Sequence, residues 1–458
     1  MLGYIPVDEC LTDNYTGPHI VSGPPGPRVS RILENSGISA SSYSSPIVEK
    51  ARGIYIEDPD GNVFLDLISG RCVANTGYNH PHIMNALRSQ ISKSIHWQTE
   101  GSYRLLERLS GLLNEENIQV YWGQSGSMAN EFAMKAVRRA TRRPYILSFT
   151  GSYHGSSMGA LSLSGYDPSM KRYYGPTVPG IFHVPYAACY RCPMKHEYPE
   201  CEFACLSYIE DIVLKSYLPA DEVAAIFVEP VQGDSGWYVP PEGWHKRLRE
   251  ICDSHNMLLV ADEIQTAFGR TGEWFGMDHW GVKPDVTLLG KSISSGVPLS
   301  ACLLPRDILE STDSEPIPLH AQSFSANPLG IAAAHATLDV IEKDDLCKNS
   351  DVIGSYMKQR LFDLMEDHSI IGDVRGLGLL IGVEIIKDRD QKTPAPLEAA
   401  AICKEAFKRG LFILNMGSYG GRSLRIAPPL IINEEQVDVA IEIIEESIEI
   451  VEKSNYTV

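Results

Sequence analysis

The chain has 458 residues, 43% of them apolar, with 40 basic against 58 acidic side chains and a formal net charge of −18. That length exceeds one minimal core, and the acidic balance argues against nucleic acid or an anionic membrane as partner while leaving small anionic ligands open. No apolar run approaches the ~18–20 residues of a membrane span, MLGYIPVDEC lacks the features of a secretory leader, and ten scattered cysteines make no disulfide framework, so a cytoplasmic enzyme is expected.

GPHIVSGPPGPRVS (17–30) is rich in Pro and Gly and predicts an ordered loop or arm rather than a helix. IYIEDPDGNVFLDLISG (54–70) predicts two short strands around a turn. HIMNALRSQISKSI (82–95), YRLLERLSGLL (103–113) and SMANEFAMKAVRRATR (127–142) have helical spacing. YILSF (145–149), AAIFVEP (224–230), MLLVAD (257–262) and DVTLLG (285–290) are short, apolar and not alternating, as buried parallel strands are. The alternation predicts an α/β domain with a mostly parallel sheet. Past residue 340 come a helix, GLGLLIGVEII (376–386) as a strand, another helix and a last helix from Glu434, a smaller α+β domain. No internal repeat is evident.

In GQSGSMANEFAMKAVRRA (123–140), Gly126 and Ser127 open a helix, where free N–H groups and the helix dipole favour a phosphate; taken alone, an ordinary Ser-capped start is the commoner explanation. Tyr153 and His154 of SYHGSSMGALSLSG stand at a strand end, where an aromatic ring can lie over a flat ligand or simply fill the core. VEPVQGDSGW and LLVADEIQTAFGRTG place Glu229 and Asp262 past strand ends, where α/β proteins contact ligands; the alternatives are helix caps or pairing with Arg270. Lys291 in PDVTLLGKSISSG ends a third such strand, so three strand ends converge on two acids and an amine that would become a nucleophile and base if desolvated. HAQSFSANPLG (320–330) is a polar turn before a helix. Arg425 in SLRIAPPLII needs a carboxylate, from the protein or from a substrate.

Two patterns are discounted. GLGLLIG resembles a dinucleotide loop but no βαβ unit follows it. Cys189, Cys192, Cys201 and Cys205 have CxxC and CxxxC spacing; a structural zinc is one use of it, a loop of free thiols the commoner one, and no metal is assigned.

Together, SGSMANE, YHG, VEPVQG, ADEIQTAFGRTG, PDVTLLGKSISSG, SANPLG, VRGLGLLIGVE and LRIAPPL resemble, in order and from about residue 45 almost to the C-terminus, the class III aminotransferases, fold-type I enzymes using pyridoxal 5′-phosphate. The resemblance implies a large domain with a mostly parallel seven-stranded sheet (76–340) and a smaller α+β domain built from both termini, residues 1–75 with the arm and 341–458. It implies that Lys291 forms the Schiff base with the cofactor aldehyde and moves the Cα proton, and that Asp262 pairs with the pyridine nitrogen. It further implies that Gln265 lies near the ring oxygen, Tyr153 stacks on the ring with His154 beside it, and Gly126 and Ser127 take the phosphate. Glu229 matches a pocket acid and Arg425 an arginine for a substrate α-carboxylate. Ser323 stands where the family usually has a threonine reaching the neighbouring subunit's phosphate, which implies a homodimer or a dimer of dimers with shared sites.

The implied activity is transfer of an amino group from an ω-amino acid such as 4-aminobutyrate, or a related donor, to a 2-oxo acid such as 2-oxoglutarate or pyruvate. One departure bears on it. Members using 4-aminobutyrate or ornithine with 2-oxoglutarate usually carry arginine directly after YHG; here it is Ser156, so Arg71 or Arg425 would have to supply that cation. SYHGSSMGALSLSG, GKSISSGVPLSA and IGDVRGLGL look like a subgroup that also holds amino-acid racemases and epimerases, which return the proton to Cα; that is the alternative activity.

Overall fold

The computed structural model describes residues 15–35, 46–310 and 322–454. MLGYIPVDEC and the first two residues of HAQSFSANPLG lie outside them. The arm contains a helix after all, Pro27–Asn35. Proline suits a first helical turn because its missing N–H would have no intrahelical partner, and Asp60 accepts the N–H groups of Arg28 and Val29, each at 2.8 Å.

Strands β1 (Lys50–Arg52), β2 (Tyr55–Glu57) and β3 (Val63–Asp66) follow as an antiparallel meander. The predicted turn between β2 and β3 is held by Asp58, whose Oδ1 accepts from the N–H groups of Asp60 and Asn62.

Seven strands form the central sheet: β4 (Ile118–Gly123), β5 (Tyr145–Phe149), β6 (Ile181–Val184), β7 (Val223–Val228), β8 (Leu258–Asp262), β9 (Val286–Leu289) and β10 (Ser300–Pro305). Their order is β4-β10-β9-β8-β7-β5-β6. The strands from β6 across to β9 pair in parallel, and β10 runs antiparallel to both β9 and β4. Every residue of β7 and β9 is buried, which is why those runs are apolar without alternation. The helix Gly126–Thr141 covers one face with Phe132, Ala133, Ala136 and Val137; Trp237, Trp244 and Tyr186 belong to a second cluster with Leu147, Ile226 and Leu259. Each such large apolar side chain contributes about 1.5–3 kcal/mol on burial.

A second sheet contains β11 (Ile371–Leu377), β12 (Leu380–Asp388), β13 (Thr393–Pro394), β15 (Leu414–Met416) and β16 (Ser423–Ile426), ordered β11-β12-β16-β15 with β13 beside β12. GLGLLIGVEII is therefore a hairpin, not one strand. Gly378 turns it at φ +51°, and a Cβ there would lie 2.5 Å from the Thr271 carbonyl carbon, so close backbone approach demands this glycine. Between β13 and β15, β14 (Leu411–Phe412) leaves that sheet and pairs in parallel with β3. The helices Leu346–Asp367, Pro396–Lys408 and Glu434–Lys453 pack around these strands; Asn433 and Gln436 cap the last reciprocally. No helix among the described residues is long and apolar enough to cross a membrane.

Candidate active site

Three neighbouring parallel strands end side by side. Glu229 follows β7, Asp262 ends β8, and Lys291 stands two residues past β9. They line one cavity of about 160 Å³ together with Gly126, Ser127, Tyr153, His154 and Gln265, so eight residues singled out in the sequence meet in one place. Asp234, Gly155 and Ile264 complete the lining. The cavity lies at the carboxyl ends of the strands because the following segments turn away there and leave a crevice.

Each wall has a local cause. Ser125 caps the helix Gly126–Thr141, its Oγ accepting from Met128 N–H, so the backbone of Gly126 and Ser127 forms the positive helix end. Ser127 Oγ accepts from Ser156 N–H at 3.3 Å. It occupies the space a Cβ at position 155 would need; Gly155, at φ +128°, keeps that approach open. Lys291 is half-buried and adopts φ +44°, an uncommon left-handed conformation for a long side chain, of the kind that gathers at functional sites.

The carboxylate of Asp262 is held on two sides. Its Oδ2 lies 2.7 Å from His154 Nδ1 and accepts from Asn130 Nδ2 at 2.9 Å, while Oδ1 accepts from Ile264 N–H. The carboxylate places the imidazole proton on Nδ1, leaving Nε2 buried without a partner among the described residues. Glu229 accepts from the N–H groups of Tyr153 and Gly233, each at 2.8 Å. Burial pushes its carboxyl up to about 7, against the opposing pull of His154 and with help from the Asp262 charge. Gln265 Oε1 accepts from the Trp237 indole at 3.1 Å, which turns its amide N–H groups away from that contact.

Two predicted residues lie elsewhere. Ser323 is exposed in the loop before the helix Pro328–Lys343 and does not line the cavity. Arg425, on β16, does not line it either. Its Nη1 donates to Asp234 Oδ1 at 2.9 Å and its guanidinium lies 4.6 Å from the Trp237 ring centroid, so in this structure its carboxylate partner is Asp234. Arg71 is not among the lining residues, and Ser156 offers no cation. Arg270, the alternative partner for the two acids, instead donates to the carbonyls of Leu379 and Pro428 and to the side chains of Ser69 and Asn75.

Sequence reasoning passed over Asn130, Asp234 and Trp237. Asn130 had a signal: it lies four residues after Gly126, one turn along the same helix face. Asp234 sits inside the quoted VEPVQGDSGW, but its partner is 191 positions away.

The four clustered cysteines line a separate small cavity with His196, and all are free thiols. No group of three or more His, Cys, Asp or Glu among the described residues could hold a metal ion. Partial desolvation and the neighbouring thiols push Cys189, though exposed on one side, up to about 11.

The sequence model of the family Aminotransferase class-III matches residues 38–448. The chain belongs to that family. It is 40% identical to an alanine/serine racemase of Pyrococcus horikoshii, over 94% of this chain and 92% of that protein. It is 33% identical to an acetylornithine aminotransferase of Archaeoglobus fulgidus, over 87% and 94%. An amine transaminase from an uncultivated Pseudomonas species, solved with pyridoxal phosphate bound, superposes with a TM-score of 0.84 at 30% identity, over 91% of this chain and 98% of that one. The fold is therefore fold type I, and the cofactor is pyridoxal 5′-phosphate. The donor set at the cavity fits that group. A helix N-terminus suits a phosphate, a doubly held carboxylate suits a protonated ring nitrogen, and an amine suits an aldehyde.

Proposed function

We propose that this class III enzyme labilises the Cα proton of neutral amino acids and returns a proton to Cα, acting as an amino-acid racemase or epimerase. Gly126 and Ser127 would hold the cofactor phosphate, Tyr153 its ring face, Gln265 its ring oxygen and Asp262 its ring nitrogen. Pyridoxal 5′-phosphate, when bound, supplies an electron sink that acidifies the substrate Cα–H. Lys291 Nζ takes that proton as the general base. Racemisation then needs a proton delivered to the opposite face, and the carboxyl of Asp234, once parted from Arg425, would be a second proton carrier in the same cavity. That carboxylate carries the proposal.

The charge around the cavity supports a neutral substrate side chain. Lys291 is the one Lys or Arg among the lining residues, and Arg425 is already neutralised by Asp234. A dicarboxylate acceptor such as 2-oxoglutarate would need a further cation. By sequence alone, transamination of a 4-aminobutyrate-like donor stood first and racemisation second; the cavity charge and the 40% identity to a racemase favour the reverse order. Transamination remains the second reading, supported by the family match and by the transaminase structures that superpose on this chain.

The enzyme works as a homodimer or dimer of dimers in the cytoplasm on the same reading. Ile91, Ile95, Trp97 and Phe324 are exposed, and Phe324 adjoins Ser323, which the family places against a neighbouring subunit. A second copy would cover this apolar patch.

The deciding measurement is Cα deuterium exchange in D₂O with chiral analysis, across a panel of amino acids with and without 2-oxoglutarate or pyruvate. Inversion without an acceptor is expected. Product formed only with an oxo acid, carrying the transferred amino group, would establish the transaminase instead.

A further inference from the structure

Trp237 is wholly buried, yet its backbone lies at φ +56°, a conformation costly for a bulky residue. Its side chain touches both halves of the site. The indole Nε1–H donates to Gln265 Oε1 at 3.1 Å, and the ring lies under the guanidinium of Arg425 at 4.6 Å. The next residue, Tyr238, lies 4.1 Å from a second guanidinium, that of Arg375. The two cations differ in commitment. Arg375 is paired with both Asp373 and Glu384 and donates to Gly236 O, whereas Arg425 has the single carboxylate Asp234 and a buried Nε without a partner among the described residues. Arg425 is thus the one with capacity to receive another carboxylate.

We propose that Trp237 is a positioning residue that fixes the cofactor side and the carboxylate side of the site relative to each other. Its N–H occupies Gln265 Oε1 and so aims the Gln265 amide N–H groups at the cofactor ring oxygen. Its ring face keeps Arg425 level when the guanidinium exchanges Asp234 for a substrate carboxylate. This rests on the proposed contacts of Gln265 with the cofactor and Arg425 with the substrate.

The test compares Trp237→Phe, which keeps a ring but loses the N–H, with Trp237→Leu, which loses both. Apoenzyme is titrated with pyridoxal 5′-phosphate, the visible spectrum of the loaded enzyme is recorded, and KM and kcat are measured with a neutral amino acid. Trp237→Phe should weaken cofactor binding about fivefold and shift the spectrum, with KM changed less than about twofold. Trp237→Leu should add a rise in KM of about fivefold. In a Gln265→Leu background, Trp237→Phe should weaken cofactor binding by less than about twofold more, since both act through one contact. Gln265→Asn breaks the same hydrogen bond without touching Trp237 and should reproduce the spectral shift even if the tryptophan variants fold poorly. Unchanged cofactor affinity and spectrum in Trp237→Phe, or a full additive loss on top of Gln265→Leu, would overturn the positioning role alone. Wild-type cofactor affinity in Gln265→Leu, or wild-type KM in Arg425→Leu, would instead overturn the underlying contacts, and this role with them.

Discussion

His154 Nδ1 and Asp262 Oδ2 lie 2.7 Å apart, and both residues are buried. Asn130 donates to the same oxygen, so Asp262 Oδ2 is held by two side chains. A hydrogen bond to a charged group contributes about 1.5–3 kcal/mol. Replacing His154 by Ala should therefore lower kcat roughly 10- to 100-fold and weaken cofactor binding. Asp262→Ala should leave the cofactor weakly held and nearly inert. Steady-state kinetics and cofactor titration check both; normal activity in Asp262→Ala would remove the electron-sink role.

Lys291 supplies the amine of the cavity. Lys291→Ala should reduce Cα deuterium exchange by at least about 10²- to 10⁴-fold, the usual worth of a positioned general base. Its loaded form should also lose the visible absorbance of the wild type. Exchange at the normal rate would move the base to another residue.

Asp234→Asn separates the two activities. The amide cannot deliver a proton but still accepts from Arg425. Racemisation should fall about 10²-fold or more while exchange of the original Cα proton and any amino transfer continue. Asp234→Ala should be worse for the fold, because it strands the nearly buried Arg425, at a cost of about 3–5 kcal/mol. Chiral chromatography and chemical unfolding measure the two effects.

Glu229 sets a pH slope. Its folded pKa, about 7, lies above that of an exposed carboxyl, so between those values the folded chain keeps a proton that the unfolded chain has lost. Its contribution to stability is complete below pH ~4.5 and is lost as pH rises through 7, at most roughly 3 kcal/mol. Glu229→Gln cannot ionise. Relative to wild type, the apoenzyme of this variant should gain stability between pH 5 and pH 8, read by urea unfolding at both; a constant difference would refute the assignment.

Much of the central sheet was legible because strands buried on both faces are apolar throughout, as AAIFVEP and DVTLLG are. Direction was not: SACLLP reads like its neighbours, yet β10 runs antiparallel. Nothing within a short apolar run encodes which way it points; the connections decide it. GLGLLIG looked continuous because a two-residue hairpin turn built from Gly and Leu leaves the apolar pattern unbroken. In the site, residues at strand ends were readable since each adjoins its strand. Side-chain partners were not, because Asn130 meets Asp262 across 132 positions and Arg425 meets Asp234 across 191. Trp237 was passed over, and its burial alone would mark it as a core residue; only its two contacts set it apart.

The parallel pairing of β3 with β14 joins Leu65 to Leu411. On the ribosome, the early meander waits for roughly 350 more residues before that partner exists, on the order of 20–70 s at ordinary elongation rates. Throughout that interval the β3 edge past Val63, which His19 bridges, lacks its partner strand, and Phe64, fully buried in the finished protein, lacks the Phe407 ring that stacks on it. Production of soluble enzyme should thus depend on holdase chaperones that shield the nascent N-terminal segment, more than the stability of the finished fold would suggest.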